Sequence, residues 1–195
     1  PKIKSEKHTN IFIAKGANIH KYYIDDELFF GKNTEQVKKL VERNYNAGAV
    51  IVTQNITGTT DKYRIHAAYA ECKNTNFVFL HSVNIIYLPN PSLAKYILAL
   101  LNSKLLDWLF RKTSTNNHCN MYELVDFPVP NASELQQQQI IDLVDKILAA
   151  KKDCRVKHGN DSELVDTSKL EKHLDALVYK LYGLTDDEIK IIEQA

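Results

Sequence analysis

Residues 96–130, YILALLNSKLLDWLFRKTSTNNHCNMYELVDFPVP, decide how the rest of the chain is read. Leu93, Ile97, Leu100, Leu101, Leu105 and Trp108 recur at helical spacing, with Asn90 as an N-cap and Pro91 suited to the first turn. The spacing predicts one helix from residue 90 to about Phe110, roughly 30 Å long and able to back a whole sheet. The polar run Lys112–Asn120 has no hydrophobic period and reads as a loop. Met121–Phe127 is expected as a short strand, ended by Pro128 and Pro130.

Upstream of this stretch the pattern is that of strands. Ile11–Ala14 and Leu28–Phe30 are short apolar runs bounded by Gly16 and Gly31, and Gln36–Tyr45 reads as a helix between strands. Ala49–Thr53 (AVIVT) is a buried-strand pattern rich in β-branched residues. Gly58 and Asp61 then mark a turn, and Tyr63–Tyr69 is the expected returning strand, with Arg64 and His66 sharing one face. Phe77–Leu80 and Val83–Leu88 complete the set.

Downstream of Pro130 everything is helical. Ser133 with Gln136 resembles a capping box opening a helix to about Cys154, with Ile140, Val144, Ile147 and Leu148 on one face. A polar link, His158–Asp161, leads to a second helix bearing Leu170, Leu174, Leu177, Val178 and Leu181. Gly183 stops it, Leu184 follows in the place of a Schellman contact, and Thr185 with Glu188 caps a last short helix. Matching apolar stripes and a short link predict an antiparallel hairpin. The expected fold is therefore α+β, with a β-rich domain and long packing helix over residues 1–130 and a helical hairpin over residues 131–195.

Composition narrows the function classes. The 195 residues are 44% hydrophobic and 25% charged, which excludes collagen-like and wholly disordered chains. Three dispersed cysteines, Cys72, Cys119 and Cys154, argue against a disulfide framework and for a cytoplasmic setting. No run approaches the ~18 apolar residues of a membrane span. Pro1 at the start, with Met121 the only methionine, reads as a piece of a longer protein. Residues 1–130 carry 16 Lys and Arg against 11 Asp and Glu, whereas residues 131–195 carry 9 against 13. That asymmetry suits a first half facing a polyanion.

Catalytic motifs are missing. The sequence has no nucleotide-binding glycine loop, no G-x-S-x-G, no H-E-x-x-H and no C-x-x-C. Asp25-Asp26-Glu27 with Lys32 is the nearest approach to a nuclease cluster and reads as a solvated turn. What remains is polar loop chemistry. Residues 54–64 (QNITGTTDKYR) offer Gln54, Thr57, Thr59, Lys62 and Arg64 around a turn. Residues 111–120 (RKTSTNNHCN) offer Arg111, Lys112, Thr113, Asn116, Asn117, His118 and Asn120. Arg and Lys pair with guanine or phosphate, Asn and Gln bridge adenine, and Ser and Thr take phosphate or base edges. The same residue types also populate ordinary turns. Asn102-Ser103-Lys104, inside an apolar helix, suits capping or packing better than phosphate contact, and Tyr179 and Tyr182 suit the hairpin core.

Three runs carry a family resemblance: Leu100-Leu101-Asn102-Ser103-Lys104, the Pro128-Val129-Pro130 ending, and Leu177-Val178-Tyr179 with Leu181-Tyr182-Gly183-Leu184. Together they resemble the TaqI-like C-terminal specificity domain of adenine-N6 DNA methyltransferases and fused type IIG restriction-modification enzymes. Ile51–Thr53, Gly58 and Tyr63–Ala68 suit the same family. The resemblance spans roughly residues 45–195, strongest over 96–130 and 170–193. A Pro-ended strand before a Gln-rich helix also occurs in type I specificity subunits. The resemblance implies a DNA target-recognition domain that is not itself an enzyme, with double-stranded DNA as its partner. It also implies catalytic domains elsewhere in the parent, using S-adenosylmethionine and, where the parent cleaves DNA, Mg²⁺. The family's recognition loops diverge, so the contact residues named above rest on residue chemistry alone. Two rival classes remain: a hydrolase whose scattered acids converge in the fold, and a protein-interaction module that dimerises through the hairpin.

Overall fold

The computed structural model describes residues 11–25, 29–30, 35–47, 49–71, 76–88, 90–114, 116–158 and 165–194. Its strands are β1 (Ile11–Ala14), β2 (Ile19–His20), β3 (Tyr23–Ile24), β4 (Phe29–Phe30), β5 (Ala49–Gln54), β6 (Ala67–Glu71), β7 (Asn76–Phe79) and β8 (Val83–Leu88). Its helices are α1 (Glu35–Ala47), α2 (Pro91–Leu101), α3 (Lys104–Thr113), α4 (Met121–Val125), α5 (Glu134–His158), α6 (Ser168–Tyr182) and α7 (Asp186–Glu193). The mixture is α+β, as expected. Asp26, Glu27, Lys32, Cys72 and most of the polar link after His158 lie outside the described residues.

The apolar run AVIVT becomes the central strand of an antiparallel sheet ordered β6-β5-β8, with Ile51 opposite both Tyr69 and Ile86. A run apolar on both faces needs cover on both. Ala49 and Ile51 join the core built by the helices, while Val50 and Val52 pack with Ala14, Ile19, Ile24, Ala68 and Val83. A second sheet is ordered β4-β1-β7, with β1 antiparallel to β4 and parallel to β7. The β2–β3 ribbon turns through Lys21 and Tyr22; Tyr22 takes φ +71° with its ring buried.

The expected helix from 90 to 110 is two helices. α2 starts as predicted, Asn90 Oδ1 accepting the Ser92 N–H at 2.8 Å with Pro91 next. It stops at Asn102, and Ser103, in extended conformation, caps α3 by accepting the Leu106 N–H at 3.3 Å. Asn102 turns its amide onto β6, accepting from the Ala67 N–H at 3.1 Å and donating to the Ala67 carbonyl at 2.9 Å. The helix groups freed at the break find partners of their own, the Leu100 carbonyl accepting from the Ser103 hydroxyl and the Lys104 N–H donating to Asp175.

Residues 121–127, expected as a strand, instead begin with the short helix α4. Asn120 is its N-cap, and its backbone N–H donates to Glu123 Oε2 at 3.0 Å. Likewise Tyr63–His66 are not part of the returning strand, which starts only at Ala67. The C-terminal expectations hold closely. Ser133 and Gln136 cap α5 reciprocally, and Thr185 and Glu188 cap α7. Gly183 sits at φ +69°, where the Leu184 N–H reaches the Tyr179 carbonyl at 3.1 Å. The start of α5 and the end of α6 share one small groove, lined by Gln136, Gln139 and Ile140 on one side and Leu177, Lys180 and Leu181 on the other.

The change of secondary structure after Pro130 brings no gap in packing. One apolar cluster joins Ile51 of the sheet, Leu98 of α2, Phe110 of α3, Ile140 and Ile147 of α5, and Leu174 and Val178 of α6. Among the described residues, no helix is long and apolar enough to cross a membrane.

Candidate nucleic-acid interface

The two polar stretches singled out in the sequence lie far apart along the chain and meet in the fold. The segment after β5 and the segment after α3 pair like two short antiparallel strands, Ile56 opposite His118. The Thr57 N–H donates to the Asn117 carbonyl at 2.9 Å, and the Cys119 N–H to the Asn55 carbonyl at 2.7 Å. Asn84, reaching from β8, donates to the Cys119 carbonyl at 2.7 Å and to Thr53 Oγ1 at 3.1 Å, while its Oδ1 accepts from Asn55 Nδ2. A tight turn closes the first loop, with Asp61 Oδ2 accepting the Gly58 N–H at 2.7 Å. A Cβ on residue 58 would meet Asp61 Oδ1 at 2.6 Å, so any larger residue there would push the Asp61 carboxylate aside from this turn.

Beneath the loops lies a charged framework. Asp107 of α3 is 7% exposed; its Oδ1 accepts the backbone N–H groups of Arg64 (2.6 Å) and Ile65 (2.9 Å). Its Oδ2 accepts from Arg111 Nε at 2.7 Å, and Arg111 donates onward to the Asp61 carbonyl at 2.7 Å. Arg64 is 2% exposed and donates to Thr57 Oγ1 and to the Asn116 carbonyl.

This framework corrects part of the expected contact set. Thr57 and Arg64 are buried, so neither presents a side chain to solvent, and Arg64 shares no strand face with His66. Arg111 is half-buried and its described bonds run inward. Asn120 caps α4, donating from its side chain to Glu123 Oε2. Gln54 is half-buried at the end of β5. Thr59, Lys62, Lys112, Thr113, Asn116, Asn117 and His118 remain exposed. The Thr113 hydroxyl donates back to its own helix at the Leu109 carbonyl. The His118 ring Nδ1 lies 3.2 Å from Asn55 Oδ1, and Asn116 Oδ1 accepts the His118 N–H at 2.7 Å, so the Asn116–His118 tip is ordered. The Lys62 ammonium lies over the Tyr63 ring, 5.3 Å from its centre, and the Lys112 ammonium over the Trp108 ring, 5.6 Å from its centre.

Sequence reasoning missed Asn84 and Asp107. Asp107 left one signal, an acid at a core-facing position among Leu105, Leu106 and Phe110. Cys119 is fully buried between the loops, and burial pushes its thiol up to about 12, so it stays a protonated packing group. Beside Lys62 opens a cleft of about 680 Å³ whose wall includes Lys21, Lys104, Glu171, Asp175 and Glu193. Its lysines Lys21 and Lys104 pair with Glu171 and Glu193, so much of its charge is internally balanced. Among the described residues, no group of three or more His, Cys, Asp or Glu side chains is placed to hold a metal ion.

The α+β body thus presents two cross-bonded polar loops bearing exposed amides, an imidazole and two lysines. Residues 12–129 match the model of the TaqI-like C-terminal specificity domain, and the chain belongs to that family. Such a domain serves DNA sequence recognition in restriction-modification enzymes and is not itself catalytic. The matched residues run from β1 through α4 and include both loops. They begin well before residue 45, where the resemblance starts, and stop short of the 170–193 stretch. No curated protein matches the chain.

Proposed function

We propose that this chain reads duplex DNA sequence for an adenine-N6 methyltransferase of a restriction-modification system, through the exposed face of the paired loops. The observation that carries this reading is the cross-bonding of loops 55–66 and 114–120. It turns two polar segments into one ordered surface inside the residues that match a specificity domain. Asn116, Asn117 and His118 offer donors and acceptors suited to base edges, and Lys62 and Lys112 offer charges suited to phosphates. Thr59 and Thr113 flank them.

In this reading the methyl donor S-adenosylmethionine, and Mg²⁺ where the parent also cuts, belong to catalytic parts of a longer cytoplasmic protein. The chain's own sequence offers no glycine loop to hold the methyl donor. The dimerising-hairpin alternative draws no support, because Ile140, Val144, Ile147, Leu174 and Val178 are buried in the shared core. The test is a binding titration on duplexes carrying the parent's methylation site and on random duplexes. Preference for the methylation site supports the reading, and equal affinity for both overturns it.

A further inference from the structure

We propose that Arg64, hidden from solvent, is a positioning residue for sequence specificity: it locks the two reading loops into one register. This rests on the DNA-reading proposal above. The Arg64 Nε donates to Thr57 Oγ1 at 3.2 Å in the first loop, and a terminal nitrogen donates to the Asn116 carbonyl at 2.6 Å in the second. The guanidinium lies 5.1 Å from the centre of the Phe110 ring, the last buried apolar residue of α3. One planar group therefore touches both loops and the helix that launches the second.

Arg64's energetics are those of a specifying residue. Among the described residues the guanidinium has no carboxylate within ion-pair distance; Asp107 binds its backbone N–H and gives its other oxygen to Arg111. A buried cation hydrogen-bonded only to neutral oxygens, with the Glu123 carboxylate attracting it from beyond ion-pair distance, is a modest source of stability for its desolvation cost. What the guanidinium supplies instead is geometry, since its rigid fork fixes two acceptors relative to each other. The fixed acceptor on the second loop belongs to Asn116, whose side chain holds the His118 N–H, while the neighbouring Asn117 carbonyl holds the Thr57 N–H. Arg64 thus sets the frame in which Asn116, Asn117 and His118 face outward. Base readout requires donors and acceptors held to about 0.5 Å.

Arg64→Lys keeps the charge and loses the fork. In the 195-residue chain it should leave amide exchange in β5 unchanged, while exchange at the Thr57 and Cys119 N–H groups accelerates about tenfold or more. The preference for the methylation site over random duplex should fall roughly tenfold, the worth of one good base contact. The slope of log K against log salt should stay as it was, because no phosphate contact is lost. Thr57→Val, which removes only the Oγ1 acceptor, should act in the same direction to a smaller extent and serves if the lysine variant fails to fold. Unchanged exchange at Thr57 and Cys119 in a folded variant overturns the coupling. Faster exchange with an unchanged preference overturns its role in specificity alone. An unsubstituted chain without preference overturns the DNA reading itself, and the specificity role with it.

Discussion

Helix α3 carries a polar cluster at each end, and the two are built to opposite plans. At its start the Lys104 N–H donates to Asp175 at 2.9 Å, the Lys104 ammonium pairs with Glu193, and Glu193 accepts the Tyr179 hydroxyl at 2.8 Å. Every charged group there is answered by another element of the fold, which pins α3 to α6 and α7. Toward its far end, Asp107 pairs with Arg111 and holds the Arg64 backbone N–H, the buried Arg64 guanidinium bonds both loops, and Asn117, Lys112 and the His118 ring edge face water. The first cluster closes the body. The second braces polar groups that stay exposed, and on the DNA-reading proposal that difference is what separates a structural network from a reading face.

The largest effect should come from the core on which both clusters stand. Leu174 is 1% exposed and shares one apolar cluster with Ile51 of the sheet and Phe110 of α3. Leu174→Ala should cost about 2–5 kcal/mol. Denaturant unfolding followed by a sheet probe and by a helix probe should then give coincident transitions. Two separate transitions would show that the region after Pro130 folds apart from the rest, and the clusters would no longer share a foundation.

The closed cluster should be pH-sensitive. Burial raises the Asp175 carboxyl from its ordinary 3.8 to about 6, against the lowering effect of the Lys104 N–H bond. A carboxyl raised on folding is ionised more readily in the unfolded chain. Its neutral form therefore contributes stability at low pH, and that contribution is lost as pH rises from about 4 through 6. The loss amounts to roughly 2–3 kcal/mol. Asp175→Asn should flatten the stability profile over this window relative to the unsubstituted chain, measured by denaturant titration at successive pH values. Parallel profiles would mean that the Asp175 carboxylate is fully accommodated.

How much of this contrast was legible in the sequence depends on how local the signal is. The cap at Asn90-Pro91, the stop at Gly183-Leu184 and the Ser133–Gln136 and Thr185–Glu188 boxes are complete within a few residues, and all formed as expected. The break at Asn102-Ser103 escaped because the leucine period runs straight through it, though a serine three residues before a buried Leu106 N–H is itself a start signal. α4 escaped because Tyr122 and Val125 before a proline imitate a strand, although Asn120 and Glu123 spell a capping pair. The strands β2 and β3 have two residues each, too few to show any period. In the site, both loops were visible by composition, but their pairing was not. Arg64 has the same side chain as an arginine that reads guanine. What buries it is the convergence of α3 with the segment after β5, a long-range event with no local mark.

On the open cluster the effects should be smaller and should divide by contact type. Asn117→Ala or His118→Ala should cost about 1–3 kcal/mol on the methylation-site duplex and little on random duplex, since a base edge is read only where the right base stands. Arg111→Ala belongs with the framework instead, because its guanidinium is spent on Asp107 and the Asp61 carbonyl. It should lower stability and leave the salt slope alone. Equal losses of Asn117→Ala on both duplexes would recast the tip as a generic anchor.

The smallest effect should belong to the lysines. Lys62 and Lys112 are exposed, and each holds its ammonium over an aromatic ring, Lys62 on Tyr63 and Lys112 on Trp108. A phosphate contact must share or displace that cation–π contact, which keeps the net gain from each lysine small. Each phosphate neutralised contributes about 0.9 to the slope of log K against log salt. Lys112→Gln should therefore flatten the slope by about that amount and weaken site and random duplexes equally, leaving their ratio intact. Lys62→Gln should do the same if the loop pair meets DNA as one face. A response at Lys112 alone would confine the interface to the 114–120 loop. A changed ratio at either lysine would make that residue a base reader, and the division between anchoring charges and reading amides would fail.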